Sequence, residues 1–476
     1  NDSMVLDITL NPDFSQVESD EPQVTVNERF EVQFPERRPF FVENADFFAT
    51  DSILLFTRRI VDPEGGVRFT GRSGDYGFGT ILINDEAPGL NRDANDSLNG
   101  EKASIGILRG FRDISEQSRV GFFLSDREFS DGYNRVASVD ARIKLNDNWI
   151  TNIQLVGSDS EPALGGDATT GYQRNIQINH TGRTVSSHTH FVETTDNFRT
   201  DLGFQNRFFK PDTSGIHNSL NLNFYPDGSN LNSWTTGLSD VYLNDTDGTR
   251  IYHQLGPNLN FNWNTTGVGF SYTDHAEILR PNDFPGIFTN TRYDYDNWQV
   301  NVFNNSLQTA TFRASYRQGK ALNLVPQASS LPYVADTSRI DFTLLWRPID
   351  RVSINNTYFL TELENSGGGA KILSNEIFRS NWNYQFTKEL SLRFIAQYDK
   401  TDTGPATRLE DDENLNFDLL LRYVINPWSA FYIGYNSNQS NFDIVEMEGE
   451  RELVVANDLH RDGDQFFVKF SYLFQR

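Results

Sequence analysis

The sequence predicts an all-β protein: a transmembrane antiparallel β-barrel of about 22 strands (range 20–26), with an N-terminal segment that is plug-like or periplasmic. Three observations carry this. Apolar and polar residues alternate with period two through most of the chain. The alternating segments run about 10–13 residues, longer than the 5–6 usual in soluble strands and near the 9–11 that cross a bilayer at a tilt. Connections between them alternate short and long, as periplasmic turns and external loops do.

Residues 1–50 read differently from the rest and form the first region. They mix charge with aromatics at Glu31, Arg37, Arg38, Phe40, Phe41 and Glu43, a composition unsuited to lipid. Such a segment belongs in the periplasm or inside the lumen. A barrel of this size encloses a lumen wide enough to need a plug, so Arg37, Arg38, Phe40, Phe41 and Glu43 are the plug-segment candidates. A periplasmic linker is the alternative.

The barrel is expected over 51–476, its first strand near 52–60. The period is clearest in Leu415, Phe417, Leu419, Leu421 and Tyr423, and in Leu390, Leu392, Phe394, Ala396 and Tyr398, each row separated by polar neighbours. Aromatics at segment ends (Trp298, Trp346, Tyr398, Tyr423, Trp428) match interfacial girdles. Tight links fall at 425–428, 386–388, 348–350 and 264–266. Long polar loops are expected at 439–463, 401–413, 363–371, 319–335 and 279–293. The stretch 194–213 fits the alternation as one external loop; as a hairpin it would raise the count to about 24. Strict alternation of Phe466, Val468, Phe470, Tyr472 and Phe474 resembles the terminal-strand signal read by the barrel-assembly machinery, although Gln475 and Arg476 follow the last aromatic.

Two motifs near the N-terminus are specific. Leu6-Asp7-Ile8-Thr9-Leu10-Asn11-Pro12-Asp13-Phe14-Ser15 is followed by Phe34-Pro35-Glu36-Arg37-Arg38-Pro39-Phe40-Phe41-Val42-Glu43-Asn44, then Leu55-Phe56-Thr57-Arg58-Arg59-Ile60 and Gly66-Val67-Arg68-Phe69-Thr70-Gly71-Arg72. This pattern resembles the opening of an uncharacterised family of bacterial outer-membrane barrels, closely over about 5–85. In that family the barrel commonly follows a domain similar to family-9 carbohydrate-binding modules. The resemblance implies an outer-membrane location in a Gram-negative bacterium and no established activity.

Composition closes off other classes. The hydrophobic fraction of 37% is low for a globular chain, yet aromatics reach 13% with 38 Phe and 18 Tyr, so the chain is not a disordered one. The absence of Cys removes disulfides and thiolate chemistry. A net charge of −24 argues against a nucleic-acid binder. No run approaches the ~18–20 apolar residues of a spanning helix. Asn1-Asp2-Ser3 has no basic n-region or apolar h-region, so an exported form is expected to be a mature chain or a fragment.

Candidate chemistry is sparse, and neither an enzyme nor a cofactor or metal site is expected. His188 and His190 share a strand face without an identifiable third ligand, the pattern of an ordinary polar face. Asn244-Asp245-Thr246-Asp247-Gly248 opens like a calcium loop, but Arg250 and Tyr252 occupy later ligand positions, so a turn is expected. Gly367-Gly368-Gly369 lacks the Lys-Ser/Thr of a phosphate loop. The luminal polar candidates are Asn260, Asn262, Arg313, Arg317, Arg393 and Arg422. The acidic surface loops hold Asp443, Glu446, Glu448 and Glu450, and Glu410, Asp411 and Asp412. These carboxylates would attract cations, bridge to lipopolysaccharide phosphates, or dock another envelope protein. Two functions follow: a channel or gated transporter for a solute, carbohydrate-related if the resemblance extends that far, or a non-conducting scaffold or surface-binding component of an outer-membrane complex.

Overall fold

The computed structural model describes residues 4–10, 20–90, 92–93, 95–207, 210–228, 230–328, 330–426, 429–447 and 450–471. Among them, 22 strands belong to one sheet. The chain divides into two compact units, one of Asn1–Asp20, Phe30–Leu222 and Leu238–Gln254, the other of Glu21–Arg29, Asn223–Gly237 and Leu255–Arg476.

The first unit contains β1 (Met4–Leu10), β2 (Pro63–Ser73), β3 (Tyr76–Asp85), β4 (Ala103–Ser115), β5 (Ser118–Phe129), β6 (Gly132–Lys144), β7 (Trp149–Glu161), β8 (Thr169–Thr181) and β9 (Val185–Thr194). Each pairs antiparallel with the next, and β9 pairs with β10 (Thr213–Phe224). Residues of β10, β11 (Ser233–Asn244) and β12 (Arg250–Trp263) are shared between the two units.

The second unit holds β13 (Thr266–Leu279), β14 (Thr291–Asn304), β15 (Ala310–Asn323), β16 (Tyr333–Ile349), β17 (Val352–Glu364), β18 (Lys371–Gln385), β19 (Leu390–Thr403), β20 (Asp412–Asn426), β21 (Ser429–Met447) and β22 (Glu450–Ser471). These also form an antiparallel meander.

The period-two pattern sorts side chains between faces. On β3–β5, Ile81, Ile83, Ile105, Ile107 and Phe123 are buried, while Leu82, Leu108, Phe122 and Leu124 between them are exposed. An exposed apolar face this broad is a liability in water and the expected surface of a strand wall in lipid.

The count of 22 agrees with the sequence, but two differences compensate. Residues 52–60 are not a strand. Leu54, Phe56 and Ile60 are buried, and the run ends in a short 3₁₀ turn at Thr57–Arg59. An extended segment buried on its own gives the same hydrophobic signal as a wall strand. In its place Met4–Leu10 enters the sheet, with Met4 opposite Gly71 and Leu10 opposite Gly65. The region before residue 51 is therefore partly wall. The stretch 439–463 is also not a loop, because β21 and β22 continue through it with register shifts near Asn438 and Ser440. Residues polar on both faces read as loop, yet beyond a membrane boundary a hairpin keeps every backbone group paired while both faces stay wet. Trp428, Glu448 and residues 472–476 of the terminal pattern lie outside the described residues, as do the side chains of Asp443, Glu446 and Glu450.

Candidate functional site

The connection between β1 and β2 is the unusual element of the fold. Leu10 sits opposite Gly65, so both ends of this long connection leave the sheet at one rim. Residues 30–62 then pack on the face of the first unit opposite its exposed apolar side chains. Phe41, Phe48, Leu54 and Ile60 are buried there in one cluster with Ile81, Ile83, Ile105, Ile107, Phe123, Val136 and Val156. Gly79 of β3 leaves room for this approach: a Cβ at that position would lie 2.7 Å from the Phe48 ring.

The predicted plug residues hold this segment together. Arg38 donates to Glu36 through Nε and Nη2 (2.9 and 2.7 Å) and to the carbonyls of Ile60 (2.6 Å) and Thr57 (2.7 Å). Its guanidinium lies 4.4 Å from the Phe41 ring centroid. Burial would raise the Glu36 carboxyl, but the bonds from Arg38 and Thr57 outweigh it and hold the pKa at about 2. Phe40 meets Phe41 edge-on at 5.1 Å. Arg37 lies 3.6 Å from Asp20, and the Glu43 carboxylate lies 3.4 Å from Arg68.

Sequence reading missed Arg68, the residue that joins wall to segment. It is fully buried on β2 and donates through Nε and Nη2 to Asp7 of β1 (3.0 and 2.6 Å). Its Nη1 donates to the Phe40 and Glu43 carbonyls. A charge in the middle of Val67-Arg68-Phe69 was the available signal.

A buried polar network lies beside the apolar cluster. The Ser52 backbone N–H donates to Gln154 Oε1 (2.7 Å), and Ser52 Oγ donates to Gln173 Oε1 (2.5 Å). Gln154 passes a bond to Ser138 (3.1 Å), and Gln173 passes one to Thr194 (3.1 Å). The amides of the wall are thus satisfied by the segment, as buried polar groups require. Nearby, burial and the Asp140 carboxylate push Asp51 up from 3.8 to about 6, against the opposing pull of Arg142 and Arg109.

The stretch 195–212 contains no strand among its described residues, as expected of a loop, but it also packs inward. Phe198 and Leu202 join the apolar cluster. The backbone of Leu202–Phe204 exchanges hydrogen bonds with Ile53 and Phe56 (2.9 and 2.7 Å).

In the second unit, residues 21–29 are clamped at two points. Asn27 donates to the Leu322 carbonyl (3.0 Å) and accepts from the Leu324 N–H (2.7 Å). Arg29 bridges two buried carboxylates, Glu277 at 2.9 Å and Asp283 at 3.0 Å.

The luminal candidates all fall on the face opposite the outward apolar rows, and the structure does not gather them into one site. Arg313, Ser315 and Arg317 share the β15 face, across from Phe303, Asn301 and Gln299 of β14 and Thr343, Asp341 and Arg339 of β16. Arg317 donates twice to Gln299 Oε1 (2.9 and 2.7 Å). Arg393 and Arg422 share the polar face of the β19–β20 pair. Asn260 donates to Asn258 (3.0 Å), and Asn262 lies 3.4 Å from Ser233.

The remaining candidates fall elsewhere. A third imidazole, His217 of β10, lies opposite His190, with its ring 5.3 Å from that of His188. His188 and His190 contact the Asn179 and Asn175 amide oxygens at 2.7 and 2.8 Å. Among the described residues no group of three or more His, Cys, Asp or Glu is arranged for a metal. Asp245 caps its own turn by accepting the Thr249 N–H (2.8 Å). Glu410 and Asp411 precede β20, and Asp412 begins it. The Thr403 N–H and hydroxyl, at 2.7 and 2.8 Å, hold Asp411 below the usual carboxylate range.

The antiparallel meander has counterparts among known structures. The ferric enterobactin receptor of Pseudomonas aeruginosa, as an R480A mutant with enterobactin bound, matches with a TM-score of 0.51 at 12% identity, over 86% of this chain and 78% of that one. The same receptor in complex with BCV-L6 matches with the same figures. The fold is an outer-membrane β-barrel. At this identity the likeness concerns fold alone. In sequence, residues 1–69 match a family described as a domain of unknown function, DUF5916. No curated protein matches the chain, and no carbohydrate-binding-like domain is matched.

Proposed function

We propose that this protein is a gated transporter of the Gram-negative outer membrane and that residues 20–62 are its internal plug. The observation that carries this reading is the re-entrant β1–β2 connection. It starts and ends at one rim, yet it buries its aromatic and polar groups on the inner face of the first unit. A periplasmic linker would have no reason to satisfy Gln154, Gln173 and Arg68. The fold shared with the enterobactin receptor supports passage of a solute; nothing in the comparisons supports carbohydrate as that solute.

The pairing of Leu10 with Gly65 supplies the test. Replacing residues 11–64 with Asn-Gly joins β1 to β2 by a two-residue turn of the type that hairpins favour. Planar-bilayer recordings of this variant should show large steady conductance, and the intact chain should be closed or nearly so. Silence from both forms, with the barrel folded, would overturn the transport reading and leave a scaffold in its place. The tightly packed inner face of the first unit is the feature that favours that second reading.

A further inference from the structure

At the rim of the first unit that carries the connections 86–102, 162–168 and 195–212 lies a cavity of about 930 Å³, within the size range of small-molecule sites. In outer-membrane barrels the rim of long connections faces outward. Four guanidinium groups reach the cavity from four separate parts of the chain. Arg59 comes from the re-entrant segment, Arg92 from the β3–β4 connection, Arg127 from β5 and Arg199 from the β9–β10 connection. The lining acids are Glu161, Asp196 and Asp201. The lining is therefore net positive by one, in a chain whose overall charge is −24.

The cavity already shows how it holds an anion. Asp201 is chelated by Arg199 through Nε and Nη2 (2.6 and 3.0 Å) and faces Arg127 Nη1 at 3.3 Å. One carboxylate thus sits between two guanidinium forks, the geometry Arg offers to carboxylate and phosphate. Phe129 backs the site, with the Arg92 and Arg127 guanidiniums 5.6 and 5.7 Å from its ring centroid. Arg59 pairs with Glu31, another residue of the segment, and Arg92 with Asp96 at 2.9 Å.

We propose that this cavity is an entry site for a small multivalent anion, bearing carboxylate or phosphate groups, that engages Arg127 and Arg199 alongside or in place of Asp201. Because Arg59 belongs to the segment read above as the plug, an anion seated here touches that segment directly. The assignment of the solute class rests on the transport reading; the binding site itself does not.

The test is calorimetric titration of the purified full-length protein with citrate and with inorganic phosphate, using agmatine as a cationic control. Saturable binding of citrate or phosphate, and none of agmatine, is the expected result. Arg127→Gln and Arg199→Gln should each weaken it about tenfold, the loss of one charge-assisted contact. Arg59→Gln should weaken it by a smaller factor. Arg174→Gln on the outer face of β8, whose side chain pairs with Glu193, should leave it unchanged. Heat-modifiable gel migration confirms that each variant is folded. No saturable binding, or binding indifferent to both Arg127 and Arg199, overturns the proposal. The variant with 11–64 replaced separates the two ideas: an open pore without anion binding in the intact chain sinks only the entry site. Anion binding in a chain whose pore stays closed after excision sinks only the gate.

Discussion

The inner faces of the two units use similar polar residues, but the second leaves part of its face open: Asn375 and Thr401 are buried there while Arg313 is not. In the first, Gln154, Asn175 and Thr194 are completely buried and bonded, beside a dry cluster around Phe123. In the second, Arg313, Arg317 and Arg422 on the corresponding face are exposed and Asn260 and Asn262 half-buried. Strand periodicity is the same in both, so the wall does not set the difference. What lies against the wall does. Residues 30–62 and the inward loop 195–212 cover the first face; in the second unit, among the described residues of the segment, it is 21–29 that take part, through Asn27, Arg29 and Val26.

The largest effect is expected from replacing 11–64 with Asn-Gly, which uncovers the Ile81–Phe123 cluster. The barrel should conduct, and its thermal transition, followed by heat-modifiable migration, should fall further than for any point substitution. Next, Arg68→Met leaves Asp7 and two carbonyls without their buried cation and should cost about 3–5 kcal/mol in denaturant unfolding. Leu54→Ala removes a fully buried side chain from the segment and should cost about 2–5 kcal/mol by the same measurement.

A smaller effect concerns pH. The pKa of Asp51 when folded, about 6, lies above its ordinary 3.8, so the docked segment holds that proton more tightly than the undocked chain does. The contribution of Asp51 to docking is full below its ordinary value and is lost as pH rises through about 6. Protection of the segment from proteolysis should fall across that window, and Asp51→Asn should abolish the dependence. The smallest effect should come from Arg317→Gln. An exposed charge on the polar strand face should change stability by no more than about 0.5 kcal/mol, while shifting the ion selectivity of the open barrel. A large loss of stability there would show that the second unit's face is as packed as the first.

The identity of nearly every wall strand was legible because a strand with one face in lipid must alternate, and alternation is written in the sequence. The aromatic and charged character of Arg38, Phe40 and Phe41 likewise marked residues that cannot face lipid. Besides Arg68 and the 439–463 hairpin, three things were not legible. Met4–Leu10 is too short to stand out from a charged neighbourhood, and only pairing with β2 makes it wall. Ser52–Ile60 has the hydrophobic pattern of a strand, but Ile53 and Phe56 bond through their backbone to Phe204 and Leu202, and Arg59 and Ile60 close a local turn. His217 joins His188 and His190 only through the register of β9 and β10.

The fold class, the approximate strand number and the outward-facing apolar side chains are set by local period and composition, so the linear chain carries them. Tertiary structure alone decided that the β1–β2 connection turns inward, that Arg68 and Ser52 satisfy it, and that four arginines distant in sequence meet at one rim. Those outcomes depend on contacts between residues tens to hundreds of positions apart, and no local pattern encodes such pairings.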